Sequence, residues 1–310
     1  MTFANWLNEP YQQLLRRILQ GRLHHATMIL GEAGVGQRQL ADAAAGLLLC
    51  QSLTENGPCG QCHGCQLFNA GNHADLMLVD PEGATIRVDT IRDLNTQMSK
   101  KSQVGKVKVA VISQAQRMNI NAANALLKML EEPPENSYFL LTSTSASSLL
   151  PTIRSRCQLI NIQPAPSAVS AWLTEQNLSN ADQLAWLGVG PYDLLALDNS
   201  QELDFYRNFP LQLQRWLASE ITTQEWLKGA KSEEQGWYLK AFSAFFRATL
   251  AYSAGQPLPV VLEAPVTLAL QRFTLDRLLQ IHQRLLTLQD SMNRTNLNTS
   301  LQLTAEINSW

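Results

Sequence analysis

A short β-rich run, Ala26 to Leu30, passes without a break into Gly31-Glu32-Ala33-Gly34-Val35-Gly36-Gln37-Arg38 and then into an Ala-rich stretch of helical character. Three glycines in six residues let the backbone turn sharply, and a helix that starts there offers free N–H groups, the layout of a phosphate cradle. A strand that feeds a helix through such a loop belongs in a parallel sheet covered by helices. Four more β-rich runs follow, at Leu76 to Asp80, Val107 to Ile112, Tyr138 to Thr142 and Leu159 to Ile162, with amphipathic stretches between them. Residues 26–162 therefore predict an α/β domain with a Rossmann-like parallel sheet.

The loop lacks the groups that make such a cradle work on a nucleotide. A Walker A loop ends in Lys, whose ammonium reaches the β/γ-phosphates, and then in Ser or Thr, whose hydroxyl binds Mg²⁺. Gln37 and Arg38 stand at those positions. Arg38 offers a cation to a phosphate but cannot coordinate Mg²⁺. The run Val107 to Ile112 ought to end in an acidic pair for Mg²⁺ and water activation, yet Ser113, Gln114, Ala115 and Gln116 follow it. Gly31, Gly34, Gly36, Gln37 and Arg38 are accordingly read as a degenerate loop that binds no cofactor productively. A purely structural βα turn is the plainer reading.

Four of the five cysteines crowd between residues 50 and 65, as Cys50, Cys59, Cys62 and Cys65, with spacing C-x8-C-x2-C-x2-C. Pro58 and Gly60 supply tight turns, and thiolates so spaced can converge on one tetrahedral ion. The sequence predicts a structural zinc site, since four thiolates leave no open position for water. His63 and His73 are read as bystanders, and Cys157 as a small buried side chain.

Asn121 to Glu132 places Ala122, Ala125, Leu126, Met129 and Leu130 on one helical face before Pro133-Pro134 stops the helix. At Gln163-Pro164-Ala165-Pro166 the pattern changes, and the remainder reads as helices broken by Gly188, Gly190-Pro191, Pro210 and Gly255 to Pro259. Long helices are expected at Trp237 to Ala251 and Leu268 to Met292. The 310 residues, 45% of them apolar, suffice for two or three packed domains. With 24 Lys and Arg against 26 Asp and Glu, the net charge of −2 excludes a chain that holds nucleic acid across its whole surface. The N-terminus lacks the pattern of an export signal and no long apolar span occurs, so a soluble, cytoplasmic protein is expected.

Asn124-Ala125-Leu126-Leu127-Lys128-Met129-Leu130-Glu131-Glu132-Pro133-Pro134, followed by Thr152-Ile153-Arg154-Ser155-Arg156-Cys157, closely resembles the signature of bacterial clamp-loader AAA+ subunits. The likeness extends over about residues 1 to 200 and includes the four-cysteine insertion. It implies three parts: an AAA+ α/β domain at 1–163, a small helical lid at 164–202, and an all-α collar at 203–310. It also implies a hetero-oligomeric ring with γ/τ-type ATPase subunits and a δ-type clamp-opening subunit, which places a sliding clamp on primed DNA. By motif position Arg156 is then an arginine finger that enters the nucleotide site of the adjacent ATPase, with Arg154 as a supporting charge. The plainer alternative is that Arg156 pairs with a carboxylate of its own domain. Where active relatives carry a sensor arginine, Gly190-Pro191-Tyr192-Asp193 offers Tyr192. Lys100, Lys101, Lys106 and Lys108 form a small basic patch that either meets DNA phosphates or is a solvated helix end.

Two rivals differ in class. One is an active γ/τ-type ATPase with Arg38 in place of the lysine, against which the missing hydroxyl and acidic pair both speak. The other is a zinc protein that grips nucleic acid, for which the stretch Thr54 to Phe68 would need Lys or Arg and has neither.

Overall fold

All five β-rich runs become strands of one parallel sheet. A computed structural model describes residues 3–83, 85–178, 181–197, 200–227, 234–292 and 299–310. In chain order the N-terminal part runs α1 (Asn8–Leu19), β1 (Ala26–Leu30), α2 (Gln37–Leu49), α3 (His63–Asn69), β2 (Leu76–Val79), α4 (Val88–Met98), β3 (Lys108–Ile112), α5 (Ile120–Glu131), β4 (Ser137–Ser143), α6 (Pro151–Arg154) and β5 (Gln158–Asn161). The strands lie in the order β2-β3-β4-β1-β5, with Met28 aligned to Leu141 on one side and Leu159 on the other. Every residue of β1 and β3 is buried. Strands covered on both faces must be apolar throughout, which is why these segments read as continuous runs. The order also sets the Gly-rich loop at the carboxyl edge of an interior strand, the place where open α/β sheets take up ligands.

Met28, Ala110, Phe139 and Leu141 of the sheet pack with Leu94 and Met98 of α4 and Leu126 and Leu130 of α5 in one core. Helix α5 starts where Asn119 accepts a hydrogen bond from the Ala122 N–H at 2.8 Å, and it ends before the two prolines, as the sequence predicts.

The chain divides into two compact units, Met1–Trp172 with Gly190–Tyr192, and Leu173–Val189 with Asp193–Trp310. Helices α7 (Pro166–Glu175) and α8 (Pro191–Leu195) run across that division. The second unit holds α9 (Ser200–Leu217), α10 (Thr223–Leu227), α11 (Glu234–Ser253), α12 (Glu263–Arg272), α13 (Leu275–Met292) and α14 (Thr299–Asn308). Its core is aromatic: Tyr206, Phe209, Phe242 and Phe245 are fully buried. The Phe242 ring lies 5.1 Å from Phe209, 5.3 Å from Trp226 and 5.0 Å from Trp310, all edge-on, the geometry that ring quadrupoles favour.

Two expectations for this region are corrected. The predicted helix Leu268 to Met292 is two helices, α12 and α13, because Phe273 turns to an extended backbone (φ −125°, ψ 143°) with its side chain buried. Thr274 then caps the second helix, accepting from the Arg277 N–H at 3.3 Å. Pro210 does not break a helix but lies inside α9. It removes one N–H donor, and the burial of its neighbours Tyr206, Phe209 and Leu213 keeps the helix in one piece around it.

Candidate functional site

The Gly-rich loop closes on itself. The side chain of Gln37, at the Walker lysine position, donates to the Gly31 carbonyl at 2.5 Å and the Glu32 carbonyl at 2.7 Å, so its amide is spent inside the loop. Gly36 has φ +109° and could carry no side chain: a Cβ there would stand 2.7 Å from Leu7 Cδ1 and 2.8 Å from Tyr192 Cε2. Both neighbours press on the loop from outside it. Tyr192 donates its N–H to the Gly34 carbonyl at 2.9 Å, its hydroxyl accepts from the Ala4 N–H at 2.9 Å, and its ring packs 4.8 Å from Trp172. Trp6 donates its indole N–H to the Val35 carbonyl at 2.8 Å. The residues that cover the loop thus come from the N-terminal segment and from 190–192. Only Tyr192 had a sequence signal, as an aromatic residue where an arginine was looked for.

Arg38 is engaged from three sides. Its Nε bonds both Asp42 oxygens at 2.9 Å, and its Nη1 meets Asp80 and Ser113 Oγ, the latter at 2.6 Å. Burial works against the guanidinium charge, but Asp42 and Asp80 outweigh it and raise its pKa further. Asp42 and Asp80 went unnoticed in the sequence because neither lies in a nucleotide motif. Ser113, at the end of β3, serves as an acceptor for Arg38, and Thr142 at the end of β4 accepts the Gln114 N–H at 2.9 Å.

The four cysteines converge as their spacing predicts. Their Sγ atoms all lie within 4.8 Å of one another, near the roughly 3.8 Å that zinc–sulfur bonds of about 2.3 Å impose at tetrahedral angles. Backbone N–H groups point at the sulfurs: Cys59 to Cys50 at 3.3 Å, and Cys62 to Cys59, Cys65 to Cys62 and Gln51 to Cys62 at 3.4 Å. Such donors stabilise thiolates. Burial pushes the Cys65 thiol up to about 12. Burial also opposes ionisation of Cys62, but the N–H groups of Cys65 and Gln51 outweigh it and bring that thiol down to about 6. Gly60 turns the chain between Cys59 and Cys62 with φ +73°. The residues fit a metal ion, and the quartet can bind one with no open coordination position. His73 stays outside it: buried, its Nδ1 accepts the Asp75 N–H at 3.1 Å.

Arg156 lies on the short turn between α6 and β5, far along the chain from the loop. Its Nη2 pairs with Glu131 Oε1 at 2.6 Å and its Nη1 donates to the Thr152 carbonyl at 2.9 Å. A third of the arginine side chain and half of the glutamate remain exposed, and pairs this open contribute about 0–1 kcal/mol. Arg156 borders a cavity of about 740 Å³ at the opposite edge of the sheet, with Arg22, His24, Glu135 and Tyr138 in its wall.

The lysine patch is not uniform. Lys108 is buried, and its ammonium bonds the carbonyls of Gln97 in the last turn of α4 and of Lys100 just past it, the latter at 3.1 Å. Burial lowers its pKa, with Asp75 pulling the other way. It closes a helix end, so both readings of the patch, phosphate contact and solvated helix end, fail at this residue.

A parallel sheet in this order with a Gly-rich βα loop at its carboxyl edge makes an AAA+-like α/β domain, and a cysteine insertion follows its first βα unit. The chain belongs to the family described as DNA polymerase III, delta subunit, whose profile matches residues 6–166. Over 170 residues it is 46% identical to the DNA polymerase III subunit delta' of Pseudomonas aeruginosa, covering 53% of this chain and 52% of that one. The corresponding Escherichia coli protein is 36% identical over 187 residues, 59% of this chain and 56% of its own. The DNA polymerase III subunit tau/gamma of Haemophilus influenzae is 37% identical over 158 residues, 50% of this chain and 23% of that one. The matched region spans little more than half the length of these delta' relatives. Among the described residues no helix is long and apolar enough to cross a membrane.

Proposed function

We propose that the chain is a non-hydrolysing delta' subunit of a DNA polymerase III clamp loader, a cytoplasmic accessory protein that serves a neighbouring ATPase and binds no nucleotide productively. The observation that carries this reading is the closed loop. Gln37 bonds Gly31 and Glu32, Arg38 is held by Asp42, Asp80 and Ser113, and Tyr192 covers Gly36. Both side chains at the positions that would meet phosphate and Mg²⁺ are engaged by the chain itself.

In this proposal the chain sits in a ring beside γ/τ-type ATPase subunits and a δ-type clamp-opening subunit, and reaches primed DNA and the sliding clamp only through that assembly. Arg156 enters the neighbour's nucleotide site and stabilises charge that develops on the transferred phosphoryl group. Its exposure and its distance from the chain's own loop along the sequence suit a trans role. Zinc fills the quartet Cys50, Cys59, Cys62 and Cys65 and fixes the 50–65 module. The three-part division 1–163, 164–202 and 203–310, with α9 to α14 in the collar, belongs to the same proposal.

Titration of the chain with Mg·ATP tests the central claim. No saturable binding up to millimolar ATP is expected, and micromolar binding would return the reading to an active γ/τ-type ATPase. In a reconstituted loader, Arg156→Ala is expected to lower clamp- and DNA-stimulated ATPase several-fold; undiminished turnover would remove the finger.

A further inference from the structure

We propose that Glu131 is the positioning residue for Arg156: it holds the guanidinium in the orientation from which it reaches a neighbour's phosphate. This rests on the trans-acting reading of Arg156. Glu131 is the last residue of α5, and α5 is a fixed platform, capped by Asn119 at one end and stopped by Pro133-Pro134 at the other. From there Oε1 takes Arg156 Nη2 at 2.6 Å while the Thr152 carbonyl takes Nη1 at 2.9 Å. An ion-pair partner at one terminal nitrogen and a carbonyl acceptor at the other hold the fork in place. Nη1 also reaches Ser155 Oγ at 3.5 Å, which leaves the Nε–H and Nη2 of the five-donor fork to face a partner.

A pair this exposed adds little to stability, so its physical consequence lies elsewhere. A free arginine side chain samples many rotamers, and a finger held before the partner arrives loses less on engagement. The adjoining Glu132 is exposed and acidic as well, yet the ion pair of Arg156 is with Glu131. The neighbouring cavity of about 740 Å³ leaves room beside the fork for an incoming surface.

The test uses the assembled loader and reads the share of its ATPase that Arg156→Ala abolishes. Glu131→Ala is expected to remove about nine tenths of that share through kcat, with KM for ATP within about twofold, because misplacing a group by about 1 Å can cost up to a hundredfold. Glu131→Gln, which keeps an acceptor without the charge, should fall between wild type and Glu131→Ala, and it carries the test if the alanine variant fails to assemble. Glu132→Ala should change nothing. The double variant Glu131→Ala/Arg156→Ala should match Arg156→Ala alone. If Arg156→Ala has no effect, the trans-acting reading fails and takes this inference with it. If Arg156→Ala lowers turnover while Glu131→Ala does not, or if the double variant loses more than Arg156→Ala, only the role of Glu131 is overturned.

Discussion

Arg38 Nη1 donates to Ser113 Oγ at 2.6 Å, joining the residue at the Walker Ser/Thr position to the residue that follows β3. In a working phosphoryl-transfer site those two places hold a Mg²⁺-binding hydroxyl and the acid that assists it. Here they are bonded to each other, with Asp42 and Asp80 completing the cage. Restoring Gln37→Lys together with Arg38→Thr is therefore expected to give neither micromolar ATP binding nor phosphate release, since the acids after β3 are still missing and Tyr192 still covers the loop. Calorimetry with Mg·ATP checks the first and a phosphate-release assay the second; micromolar affinity would mean that the lysine and the hydroxyl were all that binding wanted. Arg38→Ala should cost about 1–2 kcal/mol in urea unfolding, because Asp42, with 17% of its side chain exposed, loses its cation. That figure is already reduced for the third of the guanidinium open to water.

Gly190 is packed so closely that a Cβ would overlap the backbone of Ala33 and Gly34. Backbone cannot step aside as a flexible side chain does, so Gly190→Ala should destabilise the N-terminal unit by about 2–3 kcal/mol. Tyr192→Phe should cost less, about 1 kcal/mol, by leaving the Ala4 N–H without its acceptor. Urea midpoints for both variants give the comparison, and a Gly190→Ala protein as stable as the parent would show that the 190–192 segment does not press on the loop.

The interior of the sheet was legible because β1, β3 and β4 are buried on both faces and therefore read as continuous apolar runs, within a residue or two of their true ends. Helix α5 was legible for the same reason of pattern, with Asn119 and Pro133 as punctuation. The cysteine quartet was readable from spacing alone, since the x2 intervals around Gly60 allow little else. The cage around Arg38 was not. Asp80 lies 42 residues along the chain, and sequence shows only that Arg38 is no lysine, not that its charge is already engaged. Lys108 misled for a related reason: a lysine that closely follows three others reads as solvent-facing, whereas the end of α4 supplies two carbonyls that draw it inward. The break at Phe273 was hidden because Leu268 to Met292 keeps helical spacing across it, and only the burial of that one ring requires an extended residue there.

His282 in α13 gives the C-terminal unit a pH dependence of definite sign. Burial lowers its pKa below the ordinary 6.5, and Arg247 lowers it further; among the described residues its buried Nδ1 has no hydrogen-bond partner. Protonation therefore favours the unfolded state. The stability tied to His282 is intact above pH 6.5, where both states are neutral, and is lost as the pH falls from there through the lower folded-state value. Urea midpoints of the full chain between pH 5 and 7.5 should fall more steeply toward acid than those of His282→Gln. Parallel slopes for the two proteins would mean that other groups account for the acid sensitivity.

The quartet of Cys50, Cys59, Cys62 and Cys65 should yield one zinc per chain on metal analysis, released by a thiol-modifying reagent with a chromogenic chelator. Structural zinc sites of small modules are worth about 10–16 kcal/mol. One ligand in four then corresponds to about 2.5–4 kcal/mol, so Cys59→Ser should weaken binding by about 10²–10³-fold. The sheet has its own core in β1, β3 and β4, so metal loss should open residues 50–69 to proteolysis while strand N–H groups stay protected from hydrogen exchange. Protection lost throughout the N-terminal unit would make the metal a requirement of the whole domain. No change anywhere would show that the N–H···S bonds and the packing of α3, in which a Cβ on Gly46 would stand 3.1 Å from Phe68, hold the module without it.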